Sequence, residues 1–245
     1  MRSGSAKRIA LALCPVLVLG FAACETTQDK AARLAVRSDR QSDRKPIQVH
    51  RVDHQVKVVR ASLVRGSGGA AVAVTLRNTG STPVNDLPIL VGVKTAAGGD
   101  QPLNGDGHLP YFQAHAPAIA PGEEATWVFT TQDDLASAES AYAKVGEPSP
   151  SPVTTASRVP ALGVHTDSHS TGGDTVQATV SNDTGLPQYD VAVYAWADRD
   201  GQLVAAGHAQ ISDLNEGDTS TVKVALIGNP EGADVHVAAP PTIFQ

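Results

Sequence analysis

The residues of this chain most able to do chemistry are its eight histidines, because two imidazoles at the right spacing can share a metal ion. His50 with His54, and His165 with His169, are each separated by three residues. On a helix such a pair chelates. On an extended strand the two rings share a face but stand about 13 Å apart, beyond any common ion. No Met or Cys cluster accompanies them, so neither a copper signature nor another metal site is expected. Asp198-x-Asp200-Gly201 opens like a calcium loop but lacks the third ligand and the later Glu, which leaves a hairpin turn. Ser67 lies among Gly66, Gly68 and Gly69, a loop composition with no argument for a nucleophile. Nucleophile elbow, phosphate loop, dinucleotide fingerprint and His-Glu-x-x-His are all missing. No catalytic residue and no cofactor is expected.

One cysteine carries a different chemistry. Arg2, Lys7 and Arg8 precede an apolar run, Ile9 to Phe21, which ends at Ala22-Ala23-Cys24. A charged start, a short apolar stretch and small residues at its end form a secretory signal, too short to span a bilayer comfortably. Cys24 directly after small residues resembles the lipobox of bacterial lipoproteins, with Phe21 where that pattern usually has Leu. The resemblance implies a diacylglycerol on the Cys24 thiol and a chain held at the cell or outer membrane, facing away from the cytoplasm. Cleavage there removes three basic residues, takes the formal charge from −6 to −9 and leaves Cys24 as the only cysteine. No disulfide then forms within the chain, and its folded parts stand on packing alone. The acidic balance and scattered basic residues argue against nucleic acid as a partner.

The elements downstream must be strands. Aromatics make up 4 % of the chain, with one Met, 22 Gly and 16 Pro, which suits short strands built from Val, Leu, Ile and Ala and joined by turns. One unit occurs twice. Val72 to Gly80 followed by Leu87 to Val93 matches Val176 to Gly185 followed by Val191 to Ala197. Each copy is an alternating strand, an Asn-Thr-Gly or Asn-Asp-Thr-Gly segment and a second strand, which predicts a hairpin in each copy. Around the first copy, His54 to Leu63, Tyr111-Phe112, Ala125 to Phe129 and Ser140 to Val145 read as strands. Around the second, Val159 to His165, Leu203 to Ile211, Thr219 to Leu226 and Asp234 to Val237 do. Leu214-Asn215-Glu216-Gly217-Asp218 matches Ile119-Ala120-Pro121-Gly122-Glu123 as a turn.

The chain therefore divides into a signal peptide (1–23), a lipidated Cys and charged tether (24–46), a first sandwich (47–146), a Pro-rich spacer (147–152) and a second sandwich (153–245). The alternating prolines of Glu147 to Pro152 give a stiff, polyproline-like spacer. The predicted fold is all-β, with two tandem Greek-key sandwiches of six or seven strands each. The Asn-Thr-Gly unit, the Asp-x-x-Gly turn and the later Gly-Glu or Gly-Asp resemble the bacterial immunoglobulin-like repeats of secreted lipoproteins, of the FxLYD and CARDB types. That resemblance implies a surface location and domains that are non-enzymatic.

Superposing the two copies sets Leu87, Ile89, Val91 and Val93 opposite Val191, Val193, Ala195 and Ala197. The alternate sets are Pro88, Leu90, Gly92 and Lys94, and Ala192, Tyr194, Trp196 and Asp198. Lys94 and Asp198 should reach water, which makes the first sets the core and turns Tyr194 and Trp196 outward as a candidate binding surface. The opposite facing, with Trp196 as an inward Trp and Ala195 and Ala197 outside, is the more ordinary one in such folds. Two functional classes follow: a non-catalytic, membrane-anchored envelope lipoprotein that binds or spaces a protein or glycan, and an accessory or solute-binding subunit with a pocket between its modules. A rigid, extended two-bead shape would favour the first and a ligand-bearing interdomain cleft the second.

Overall fold

The computed structural model describes residues 47, 49, 51–105, 109–147, 158–169 and 173–242. The signal, Cys24, the tether, His50 and all of the spacer except Glu147 lie outside the described residues, as does the side chain of His169.

The fold is all-β, with no α-helix among the described residues. The first half holds β1 (Val56–Gly66), β2 (Gly69–Asn78), β3 (Leu87–Thr95), β4 (Asp100–Pro102), β5 (His115–Ala116), β6 (Glu124–Thr131) and β7 (Ala138–Val145). The second holds β8 (Gly163–His169), β9 (Thr175–Ser181), β10 (Gln188–Arg199), β11 (Gln202–Leu214), β12 (Thr219–Ala225), β13 (Ile227–Gly228) and β14 (Asp234–Ala238). In the first half a β1-β2-β6 sheet faces β4-β3-β5, with β7 also paired to β3. In the second, β12-β9-β8 faces β13-β11-β10-β14. Every ladder is antiparallel. The inward sets are the expected ones: Leu87, Ile89, Val91 and Val93, and Val191, Val193, Ala195 and Ala197, are all fully buried. Trp196 is thus not the inward Trp of its own sandwich.

The Asn-Thr-Gly segments are not hairpin turns. β2 pairs with β1 and β6 while β3 pairs with β4, β5 and β7, so the chain crosses from one sheet to the facing one after Asn78. The second copy does the same between β9 and β10. The reason lies in the asparagine. Asn78 is fully buried, and its Nδ2 donates to the carbonyls of Thr82 at 2.8 Å and Ile119 at 3.0 Å. Its backbone N–H donates to Glu123 O, and its carbonyl accepts from Gly122 N. Asn182 repeats every bond, to Leu186 O at 2.8 Å, Leu214 O at 2.9 Å, Asp218 O and Gly217 N. A buried amide needs partners, and here they are carbonyls of the crossing segment and of a distant turn, which the asparagine ties together. Of the two segment glycines, Gly185 (φ 77°) is left-handed as expected of a turn, and each crossing has a further left-handed residue, Asp86 (φ 60°) or Asp190 (φ 52°), where it enters its second strand.

Two further expectations are corrected. Tyr111-Phe112 belongs to a 3-10 turn, Tyr111–Gln113, closed by Gln113 N to Pro110 O and Ala114 N to Tyr111 O. Asn104, buried in the preceding loop, holds it there by donating to Gln113 O at 2.9 Å and Ile89 O at 2.8 Å while accepting from Val91 N. The strand expected from Val159 begins only at Gly163, past Pro160, which has no N–H for a ladder.

Among the described residues no ladder joins the two halves. Apolar packing does join them: Ala192, Tyr194 and Ala206 belong to the same buried cluster as Val72, Leu76, Ile89 and Trp127.

Candidate functional site

The joint between the sandwiches forms where the outer face of β1-β2-β6 meets the outer face of β10-β11. Side chains alternate along a strand, so β2 sends Val72, Val74 and Leu76 into its own sandwich and Ala71 and Ala73 to the other side. Cross-strand from these alanines lie Thr130 and Val128 of β6. On the opposing sheet, β10 presents Ala192, Tyr194, Trp196 and Asp198, and β11 places His208 opposite Tyr194 and Ala206 opposite Trp196. Small alanines let the two sheets approach closely, and the larger rings fill what remains.

Tyr194 is at the centre of this packing, 1 % exposed. It does turn out of its own sandwich, but the first sandwich covers it, and it is no exposed binding surface. Its hydroxyl donates to the Phe112 carbonyl at 3.3 Å. Trp127 Nε1 donates to that same oxygen at 2.7 Å from inside the first sandwich. One carbonyl of the Tyr111–Gln113 turn therefore serves both halves. Burial raises the Tyr194 phenol pKa and keeps it neutral. Trp196 is half-buried at the margin of the joint and stacks on the exposed His236 of β14, centroids 5.3 Å apart. Asp198 does not simply reach water: Arg60 Nη2 lies 3.1 Å from its carboxylate and Arg60 Nη1 donates to Gly201 O. Lys94, the matching residue of β3, is exposed as expected.

His208 was not singled out by its spacing, yet it is a half-buried titratable group set in the joint beside Tyr194. Gln113 Nε2 approaches its Nε2 at 2.8 Å, Thr130 Oγ1 its Nδ1 at 3.4 Å, and the Phe112 ring packs edge-on at 5.0 Å. With the Gln113 amide donating, His208 Nε2 accepts and the ring hydrogen sits on Nδ1. Burial pushes the imidazole down to about 4. A signal for it existed: one ionisable residue in the otherwise small and apolar run Ala205-Ala206-Gly207-His208-Ala209.

The remaining candidates are turns and surface groups. Asp200 (φ 52°) and Gly201 (φ 74°) make the tight β10–β11 turn. Ser67 is exposed between β1 and β2. His54 and His165 are exposed and lie in different sandwiches. Among the described residues no group of three or more His, Cys, Asp or Glu is placed to hold a metal ion.

No family model matches this chain, and no curated protein matches it. Among solved structures it is similar to the red sea bream transglutaminase, at 12 % identity over 90 % of this chain and 34 % of that one, with a TM-score of 0.22. This chain spans about a third of that enzyme's length, and so low a score carries neither fold detail nor activity across.

Proposed function

We propose that the protein is a non-catalytic lipoprotein of the bacterial envelope, anchored through Cys24, whose two sandwiches act as one docked arm that holds or spaces a protein or glycan of the envelope. The observation that carries this reading is the filled joint. Ala192, Tyr194, Ala206 and His208 occupy the place where an interdomain pocket would lie, which weighs against the accessory or solute-binding alternative. The docked sheets also differ from two loosely strung beads, so reach comes from the tether and orientation from the arm. Of the two aromatic candidates, Trp196 with its stacked His236 is the one left within reach of a partner.

Cross-linking the full chain in its own membrane and recovering its partners tests the reading. One envelope component should be enriched, and Trp196→Ala should reduce its yield with Cys24 anchoring unchanged. Cys24→Ser should leave the membrane fraction or stall uncleaved, since stable anchoring needs the lipid chains. A cleaved Cys24→Ser variant that stays membrane-bound without them defeats the anchor. Turnover of an envelope substrate by the purified chain defeats the non-catalytic reading.

A further inference from the structure

We propose that the joint is an acid-released latch: protonation of His208 separates the two sandwiches while each keeps its own sheets. Behind the His208 ring on β10 is Tyr194, neutral and engaged with the Phe112 carbonyl. From the Tyr111–Gln113 turn come the Phe112 ring and the Gln113 amide, and from β6 comes the Thr130 hydroxyl. Around these lie the alanines of β2, β10 and β11. None of these groups carries a charge.

The charged groups of the joint lie at its margins. Arg60 of β1 pairs with Asp198 of β10 at one end. Asp190, before β10 leaves the crossing, accepts from Gln210 of β11, two residues beyond His208. Neither carboxylate has a hydrogen bond to the ring, so a proton arriving there finds no counter-charge in contact among the described residues. It would also bind at Nε2, where Gln113 already presents an N–H. Turning that amide restores one hydrogen bond and still leaves an imidazolium among alanines.

The direction in pH follows from the ring's surroundings. The docked state holds His208 near 4 against the ordinary 6.5. Its contribution to docking is full above about pH 6.5 and is lost as pH falls toward 4. Across that window the docking equilibrium weakens on the order of a hundredfold. Separation is the step that relieves the charge, because it returns the ring to water without breaking any ladder among the described strands. This inference stands on the joint alone and is independent of what the arm binds.

The experiment follows the full chain by small-angle scattering and by hydrogen exchange of β2, β6 and β11 between pH 7 and 3.5. The expected result is expansion with exposure of the β2 and β11 outer faces, at a midpoint that tracks the His208 C2–H shift in nuclear magnetic resonance. His208→Phe, which keeps a ring against Phe112, should hold the joint closed through the wild-type midpoint. Asp198→Asn reports the Arg60 pair separately. If His208→Phe opens like wild type, or if Asp198→Asn alone abolishes the transition, His208 is not the latch. Should His208→Phe fail to fold, the wild-type measurement decides: opening that does not follow the imidazole shift overturns the proposal.

Discussion

β2 and β9 occupy the same place in their sandwiches and meet water differently. β2 is buried along nearly its whole length, whereas β9 is buried only at every second residue. The relation reverses in the next strand: β3 keeps Pro88, Leu90 and Lys94 partly or fully exposed, while β10 is covered on both faces over most of its length. The first sandwich therefore uses its β2 sheet at the joint and the second uses its β10 sheet. Repeated units have been stacked through non-equivalent faces. Composition follows the stacking. The joint-facing positions of β2 and β11 include Ala71, Ala73, Ala206 and His208, and the outer positions of β9 and β12 include Gln177, Thr179 and Thr221. A strand covered twice reads as an apolar run and a strand covered once alternates.

The two faces should differ most in their response to a buried charge. Ala206→Glu, at a fully buried joint position, should destabilise the chain by about 3–5 kcal/mol or part the sandwiches. Thr221→Glu, on the outer face beside Thr179, should change stability by no more than about 0.5 kcal/mol. Urea denaturation of both variants measures the contrast, and similar losses would mean that the faces are equally wet.

Next in size is the feature the two sandwiches share. Asn78→Ala and Asn182→Ala each take a donor from two carbonyls, one buried and one part-buried, and each should lose about 2–3 kcal/mol. Near-equal losses sharpen the view that both crossings are pinned alike. A loss confined to one variant would show that only that crossing depends on its asparagine.

The smallest effect expected is at the contact that belongs to both halves. Tyr194→Phe keeps the ring and removes the donor to Phe112 O, whose other bond, from Trp127, remains. The expected loss is about 1 kcal/mol. Hydrogen exchange should place it at the joint, with the β12-β9-β8 sheet unchanged.

Strand content, the repeated unit and the turn matched between Gly122 and Gly217 were all legible in the residues, because alternation and turn chemistry are local. So was the inward facing of Val191 and Val193, since Lys94 and Asp198 cap the opposite rows. The partner of each strand was not legible. An asparagine before Thr-Gly suits a hairpin as well as it suits a crossing, and only the carbonyls of Ile119 and Leu214, brought from 41 and 32 residues away, decide between them.

By itself, then, the sequence determined that this chain makes β-strands, which rows of side chains are apolar enough to face inward, and that the plan occurs twice. Its N-terminal residues also carry the lipobox resemblance and the envelope location that it implies. Tertiary structure alone decided that Asn78 and Asn182 sit inside, that Tyr194 is covered and Trp196 half-covered, and that His208 is enclosed by neutral groups. The physical reason is range. A residue's alternation with its neighbours is set within a few bonds, but the loss of water from an outward face depends on whether another sheet, distant in the chain, has a surface of alanines small enough to lie against it.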